Sequence, residues 1–173
     1  MIVDKLGRKF KNLRVSLTAA CNYACTYCVP NGKKLMAAEN ELPATDLLKA
    51  VTLIQEAAGI ERVRITGGEP LVSPKFDDFL LGVMQLPLHD VSLTTNGQLL
   101  QKKRSVIRES GLKRLNISLD SLNPLRFKQI ARSGDLKTVL AGIDAMLEDG
   151  LKLKINMVPM RSQNLQEIVP MLD

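Results

Sequence analysis

Five short strand-like segments punctuate the chain, and a stretch with helical spacing follows each of them. The first, Leu13-Arg14-Val15-Ser16-Leu17, alternates apolar and polar residues as a half-buried strand does. Residues 62–66, 91–94, 114–120 and 151–158 read as the other four. Between them a helix starts at Pro43 and stops at Gly59, with Leu47, Leu48, Val51, Ile54 and Ala58 at helical intervals. Residues 76–84, 99–109, 124–131 and 136–148 read as further helices, and a last one begins at Asn164. Residues 1–11 read as a polar lead-in. Strands and helices alternating through short connections predict an α/β fold with a parallel sheet and right-handed crossovers.

Ligands of such sheets collect at the carboxyl ends of the strands. Five polar motifs fall at or near those ends: the loop 21–28, Gly67-Gly68-Glu69-Pro70, Thr94-Thr95-Asn96-Gly97, Ser118-Leu119-Asp120 and Lys154-Ile155-Asn156. The loop 21–28 holds every cysteine of the chain, Cys21, Cys25 and Cys28, in the spacing C-x3-C-x2-C. Soft thiolates suit iron–sulfur clusters and zinc. Closed zinc sites and ordinary clusters take four protein ligands, so three cysteines leave a metal position open. The plainer alternative is a zinc site completed by His89 or by a partner chain. His89 itself reads as a surface residue at the end of the sheet away from the motifs.

The net charge of +6 admits an anionic partner. Aromatic residues are only 3% of the chain and tryptophan is absent, which argues against nucleic acid because stacking platforms are scarce. No apolar run has the length needed to cross a membrane, and Met1-Ile2-Val3-Asp4-Lys5 lacks the apolar core of a signal peptide. An odd, clustered set of cysteines fits a reducing cytoplasm better than a disulfide framework. At 173 residues the chain has the size of one domain.

Arg14 with C-x3-C-x-Y-C, Arg-x-Thr-Gly-Gly-Glu-Pro, Thr-Thr-Asn-Gly, Asn-x-Ser-x-Asp-Ser-Leu and Lys-x-Lys-x-Asn follow one another along the sequence. In that order and spacing they resemble the N-terminal part of the molybdenum cofactor biosynthesis protein A family, the GTP 3′,8-cyclases, within the radical S-adenosylmethionine (SAM) superfamily. The resemblance implies a partial (β/α) barrel over residues 1–173, a radical SAM core ending after about five strands. It implies a [4Fe-4S] cluster on Cys21, Cys25 and Cys28, with SAM on the open iron and facing Tyr27, Gly68 and Ser118. It also implies GTP held by Arg14, Arg64, Thr94 and Lys154, and rearranged by a SAM-derived radical in the first step of molybdenum cofactor biosynthesis. No catalytic residue beyond the cluster ligands is implied, since the cofactor carries the hard step. An electron donor and a homodimer belong to the same implication.

Simpler roles stand beside these. Gly67 and Gly68 can also be read as only a turn, and Arg14 and Arg64 as solvated strand residues. Lys152 and Lys154 share a face, so choosing Lys154 rests on the resemblance. Glu69 reads as a rim ion pair or as a SAM contact. The family also continues into a C-terminal region whose three further cysteines hold a second [4Fe-4S] cluster. No fourth cysteine is present here, so the chain reads as truncated, able to bind a cluster without completing GTP cyclisation. The competing expectations are another radical SAM enzyme acting on a peptide or tetrapyrrole, and a non-catalytic metal-binding fragment.

Overall fold

Alternation within the strands decides the architecture. The computed structural model describes residues 2–172. Strands β3 (Asn12–Ser16), β4 (Arg62–Thr66), β5 (Asp90–Thr95), β6 (Arg114–Ser118) and β7 (Lys152–Asn156) form one sheet in sequence order, every neighbouring pair parallel. On one face Val63, Ile65, Leu93, Leu115 and Ile117 are buried. They pack into one core with residues of α1 (Ala44–Ala58), α2 (Phe76–Val83), α3 (Leu100–Ser110) and α5 (Leu136–Glu148), among them Val51, Phe79, Ile107 and Met146. Burying each such side chain stabilises the fold by roughly 1.5–3 kcal/mol.

The other face is polar on every strand. Register aligns Arg14 with Arg64, Arg64 with Ser92, Thr94 with Asn116, and Asn116 with Lys154. A parallel sheet is ordinarily covered by apolar packing on both faces. A polar face on all five strands is the lining of a partial barrel, with the helices confined to its outside.

The helices begin and end where local chemistry dictates. The N–H of Gly59, in the left-handed region at φ 68°, closes α1 onto the Gln55 carbonyl. Asn123 caps α4 (Pro124–Ala131) by accepting from the Arg126 N–H at 3.0 Å. Asp135 caps α5 through the Thr138 N–H at 2.8 Å.

Two expectations need correction. The lead-in contains an antiparallel hairpin, β1 (Ile2–Val3) with β2 (Lys9–Phe10). Its turn is organised by Asp4, whose carboxylate accepts from the Leu6 and Arg8 N–H groups, both at 2.9 Å. The helix expected from Asn164 is instead a single 3-10 turn (Leu165–Glu167) followed by turns. Pro170 supplies no N–H and would clash within a helix. The Asn164 side chain is buried and bonded instead to the Asp120 and Val158 carbonyls and the Met160 N–H. Among the described residues, no helix is long and apolar enough to cross a membrane.

Candidate functional site

The cysteine loop leaves the end of β3 and is anchored by its own non-cysteine residues. Tyr23 is buried edge-on against Phe127 of α4, with ring centroids 5.9 Å apart, and its hydroxyl donates to Gln98 at 2.8 Å. The Ala24 and Thr26 N–H groups donate to the Ala131 and Ile130 carbonyls at 3.2 and 3.0 Å. The loop thereby satisfies carbonyls that the last turn of α4 leaves without partners. Asn22 accepts from the Asn96 side chain at 2.7 Å, tying the loop to the end of β5.

Cys21, Cys25 and Cys28 line one open cavity of about 220 Å3 together with Tyr27, Gly68, Thr94 and Ser118. Cys21 and Cys25 are half-buried, and Cys28 is exposed. Burial pushes the Cys25 thiol up to about 11, and the Cys28 and Asp120 charges add to the shift. Burial also raises Cys21 and Cys28. Burial therefore disfavours the thiolate form of the metal-free loop, and loading a metal centre must release the thiol protons. Among the described residues, no three Cys, His, Asp or Glu side chains are grouped about a point where one ion would sit. A cluster takes each thiolate on a separate iron. Three soft donors around one open cavity fit such a cluster. His89 does not complete the set: it precedes β5 at the opposite end of the strands, largely exposed beside Glu61.

The Gly67-Gly68-Glu69-Pro70 stretch packs directly on the lead into the cysteine loop. The Gly68 N–H donates to the Thr18 carbonyl at 2.7 Å, and the Glu69 N–H to the Ala20 carbonyl at 2.8 Å. A Cβ on Gly68 would lie 2.4 Å from both the Ala19 and Ala20 carbonyl oxygens, and one on Gly67 2.7 Å from that of Thr18. Contact between the two loops is itself a reason for glycine at 67 and 68. Among the described residues Glu69 makes no ion pair. It is 1% exposed, and its carboxylate accepts from the Thr95 hydroxyl at 2.7 Å, the Asn96 N–H at 2.7 Å and the Leu71 N–H at 3.0 Å. This carboxylate staples the ends of β4 and β5 together.

The Tyr27 hydroxyl donates to Asp120 at 2.7 Å, and the other Asp120 oxygen accepts from the Val158 N–H at 2.9 Å. Asp120 thus links the cysteine loop to the segments after β6 and β7. Sequence reasoning gave it no role of its own, because a carboxylate after a strand reads as any solvated rim residue.

Arg14 and Arg64 lie side by side on the polar face, lining a second cavity of about 340 Å3 with Arg62, Asp90, Ser92 and Arg114. Arg114 pairs with Asp90 at 2.6 Å. The Arg14 and Arg64 guanidinium groups have no hydrogen-bond or ion-pair partner among the described residues. Thr94 lines the thiol cavity, one rung further along the face. Lys154 lines neither cavity; it is exposed on the edge strand β7, in register with Asn116. Arg62 and Arg114 were missed by sequence reasoning, although period-two counting from Arg64 and Asn116 places both on the same face.

A family model described as the radical SAM superfamily matches residues 15–173. The GTP 3′,8-cyclase of Aliarcobacter butzleri is 41% identical over 175 residues, covering 100% of this chain and 54% of that protein. The GTP 3′,8-cyclase of Listeria monocytogenes is 41% identical over 175 residues, covering 99% of this chain and 52% of that protein. The chain spans about half the length of the curated relatives it matches. Among solved structures, Streptococcus suis SuiB bound to S-adenosylmethionine superposes with a TM-score of 0.77 at 21% identity, covering 94% of this chain and 37% of that chain. Native anSMEcpe with bound AdoMet superposes with a TM-score of 0.66 at 17% identity, covering 92% and 49%. At these identities the likeness is one of fold.

Proposed function

Since the chain belongs to the radical SAM superfamily, we propose that it forms the cluster- and SAM-binding part of a GTP 3′,8-cyclase, residues 1–173 being one radical SAM core domain. Cys21, Cys25 and Cys28 would hold a [4Fe-4S] cluster with one iron free for SAM. Tyr27, Ser118 and the Gly68 loop line the same cavity and would face SAM. The bound cofactor supplies one-electron hydrogen-abstraction chemistry, and the chain's own residues position the reactants and exclude water. Arg14, Arg64, Thr94 and Lys154 would hold GTP, the substrate of the first step in molybdenum cofactor biosynthesis. A one-electron donor would be required, two copies of the chain would pair as the family's homodimer, and three free thiols fit a reducing cytoplasm.

The observation that carries the GTP reading is the Arg14–Arg64 pair. Like charges side by side in a sheet repel, and neither guanidinium is neutralised within the described residues. A polyphosphate offers both the charge and the oxygens that a forked guanidinium matches. Titration of the cluster-loaded protein with GTP and with guanosine tests this. Arg14→Ala or Arg64→Ala is expected to weaken GTP binding by roughly tenfold to a hundredfold, the loss of a charge-assisted contact. Guanosine binding should not change. Equal binding of GTP and guanosine, or variants indifferent to the triphosphate, would refute the reading.

A further inference from the structure

Among the described residues, Arg132 is the one non-glycine with a positive φ, at 57°. It follows α4, where a left-handed residue is most often glycine. A non-glycine there is uncommon and persists when its surroundings over-determine it. What surrounds Arg132 is the cysteine loop. Its Nη1 donates to the Val29 carbonyl at 2.6 Å and the Ala24 carbonyl at 3.3 Å, and its Nη2 to the Pro30 carbonyl at 3.1 Å. The two preceding residues, Ile130 and Ala131, accept from the Thr26 and Ala24 N–H groups. Five hydrogen bonds thus join one helix end to the segment 24–30, which carries Cys25 and Cys28. Gly32 turns the chain beneath the guanidinium: a Cβ there would lie 3.4 Å from Nη1.

We propose that Arg132 is a positioning residue for the metal-binding loop. Its guanidinium gathers three loop carbonyls and so fixes the separation at which Cys25 and Cys28 meet the cluster. Glycine would relax the backbone at 132 but lose the fork. Lysine keeps the charge but concentrates it in one ammonium, which does not reproduce a planar fork spread over three carbonyls. The proposal rests on the cluster reading only in its metal arm.

Hydrogen exchange on the metal-free 173-residue chain tests the clamp itself. Arg132→Lys and Arg132→Met both keep a side chain at the left-handed position, so the backbone strain is common to them. The Ala24 and Thr26 amides are expected to exchange about tenfold faster in Arg132→Met, with Arg132→Lys close to Met, as local opening becomes easier. Amides of β4, β5 and β6 should keep their rates. In the metal arm, after anaerobic reconstitution, Arg132→Met should surrender iron to a chelator several-fold faster than the parent. Unchanged exchange in the loop, faster exchange spread evenly through the sheet, or faster loop exchange with unaltered iron retention would each overturn the proposal. The parent's own iron content reports on the proposed function, whereas the difference between variants reports on Arg132.

Discussion

Gly68→Ala is expected to lower the stability of the metal-free protein by about 3 kcal/mol and to cost it most of its capacity to load iron. Overpacking a well-filled site costs roughly 1–3 kcal/mol. The upper end applies here because the added methyl meets the Ala19 and Ala20 carbonyl oxygens at 2.4 Å, and these belong to backbone that cannot rotate aside. Relief requires the two loops to separate, which breaks the hydrogen bonds from the Gly68 and Glu69 N–H groups to Thr18 and Ala20. The cysteine loop starts immediately after Ala20, so the displacement passes directly to Cys21. Thermal unfolding should drop by roughly 10 °C for a chain of this size. Gly59→Ala serves as the control: nothing lies within 4 Å of its Cβ position, so only its positive φ opposes the substitution. It should lose a little stability and no iron. An unchanged melting temperature and iron content for Gly68→Ala would show that the loops do not depend on that contact.

Glu69→Gln is expected to flatten the pH dependence of stability. Burial pushes the Glu69 carboxyl up to about 7, against the opposing effect of three donated hydrogen bonds. A carboxyl whose folded pKa lies above its unfolded value binds its proton more tightly in the folded state. Its contribution to stability is therefore greatest below the unfolded value near 4.5, declines as pH rises from there to about 7, and levels off above. The difference corresponds to about 3 kcal/mol. Urea unfolding at several pH values from about 4 to 8 measures it. The parent should lose about that much more stability across the range than Glu69→Gln, since every other titrating group is common to both. The variant should also show a pH-independent loss of about 1–3 kcal/mol, because an amide cannot accept from Thr95, Leu71 and Asn96 on both of its terminal atoms. Identical pH slopes would mean that Glu69 does not titrate as burial dictates.

The sheet was legible because its five strands alternate and its connections are short. Arg62–Thr66, Pro124–Ala131 and Leu136–Glu148 lie at the bounds expected from the sequence. The placement of Cys21, Cys25, Cys28, Tyr27, Gly68 and Ser118 around one cavity was legible for the same reason: strand ends converge on one rim. Two-residue strands such as Ile2–Val3 carry too little pattern to register. The stretch after Asn164 has helical spacing, but the pattern gave no weight to Pro170 or to an asparagine whose side chain serves three backbone groups. Glu69 and Asp120 were visible as polar residues on the rim, whereas their work as staples between neighbouring loops depends on long-range pairing. Arg132 was the least legible, because nothing in its neighbours announces a left-handed arginine reaching back about a hundred residues along the chain.

The most direct test is anaerobic reconstitution of the protein with iron and sulfide, followed by the electron paramagnetic resonance spectrum of the reduced protein with and without SAM. Three cysteines around an open cavity predict a [4Fe-4S] signal that shifts when SAM is added, and its loss in Cys28→Ser. Bound zinc with no such signal, or a cluster signal indifferent to SAM, would contradict the assignment of this loop.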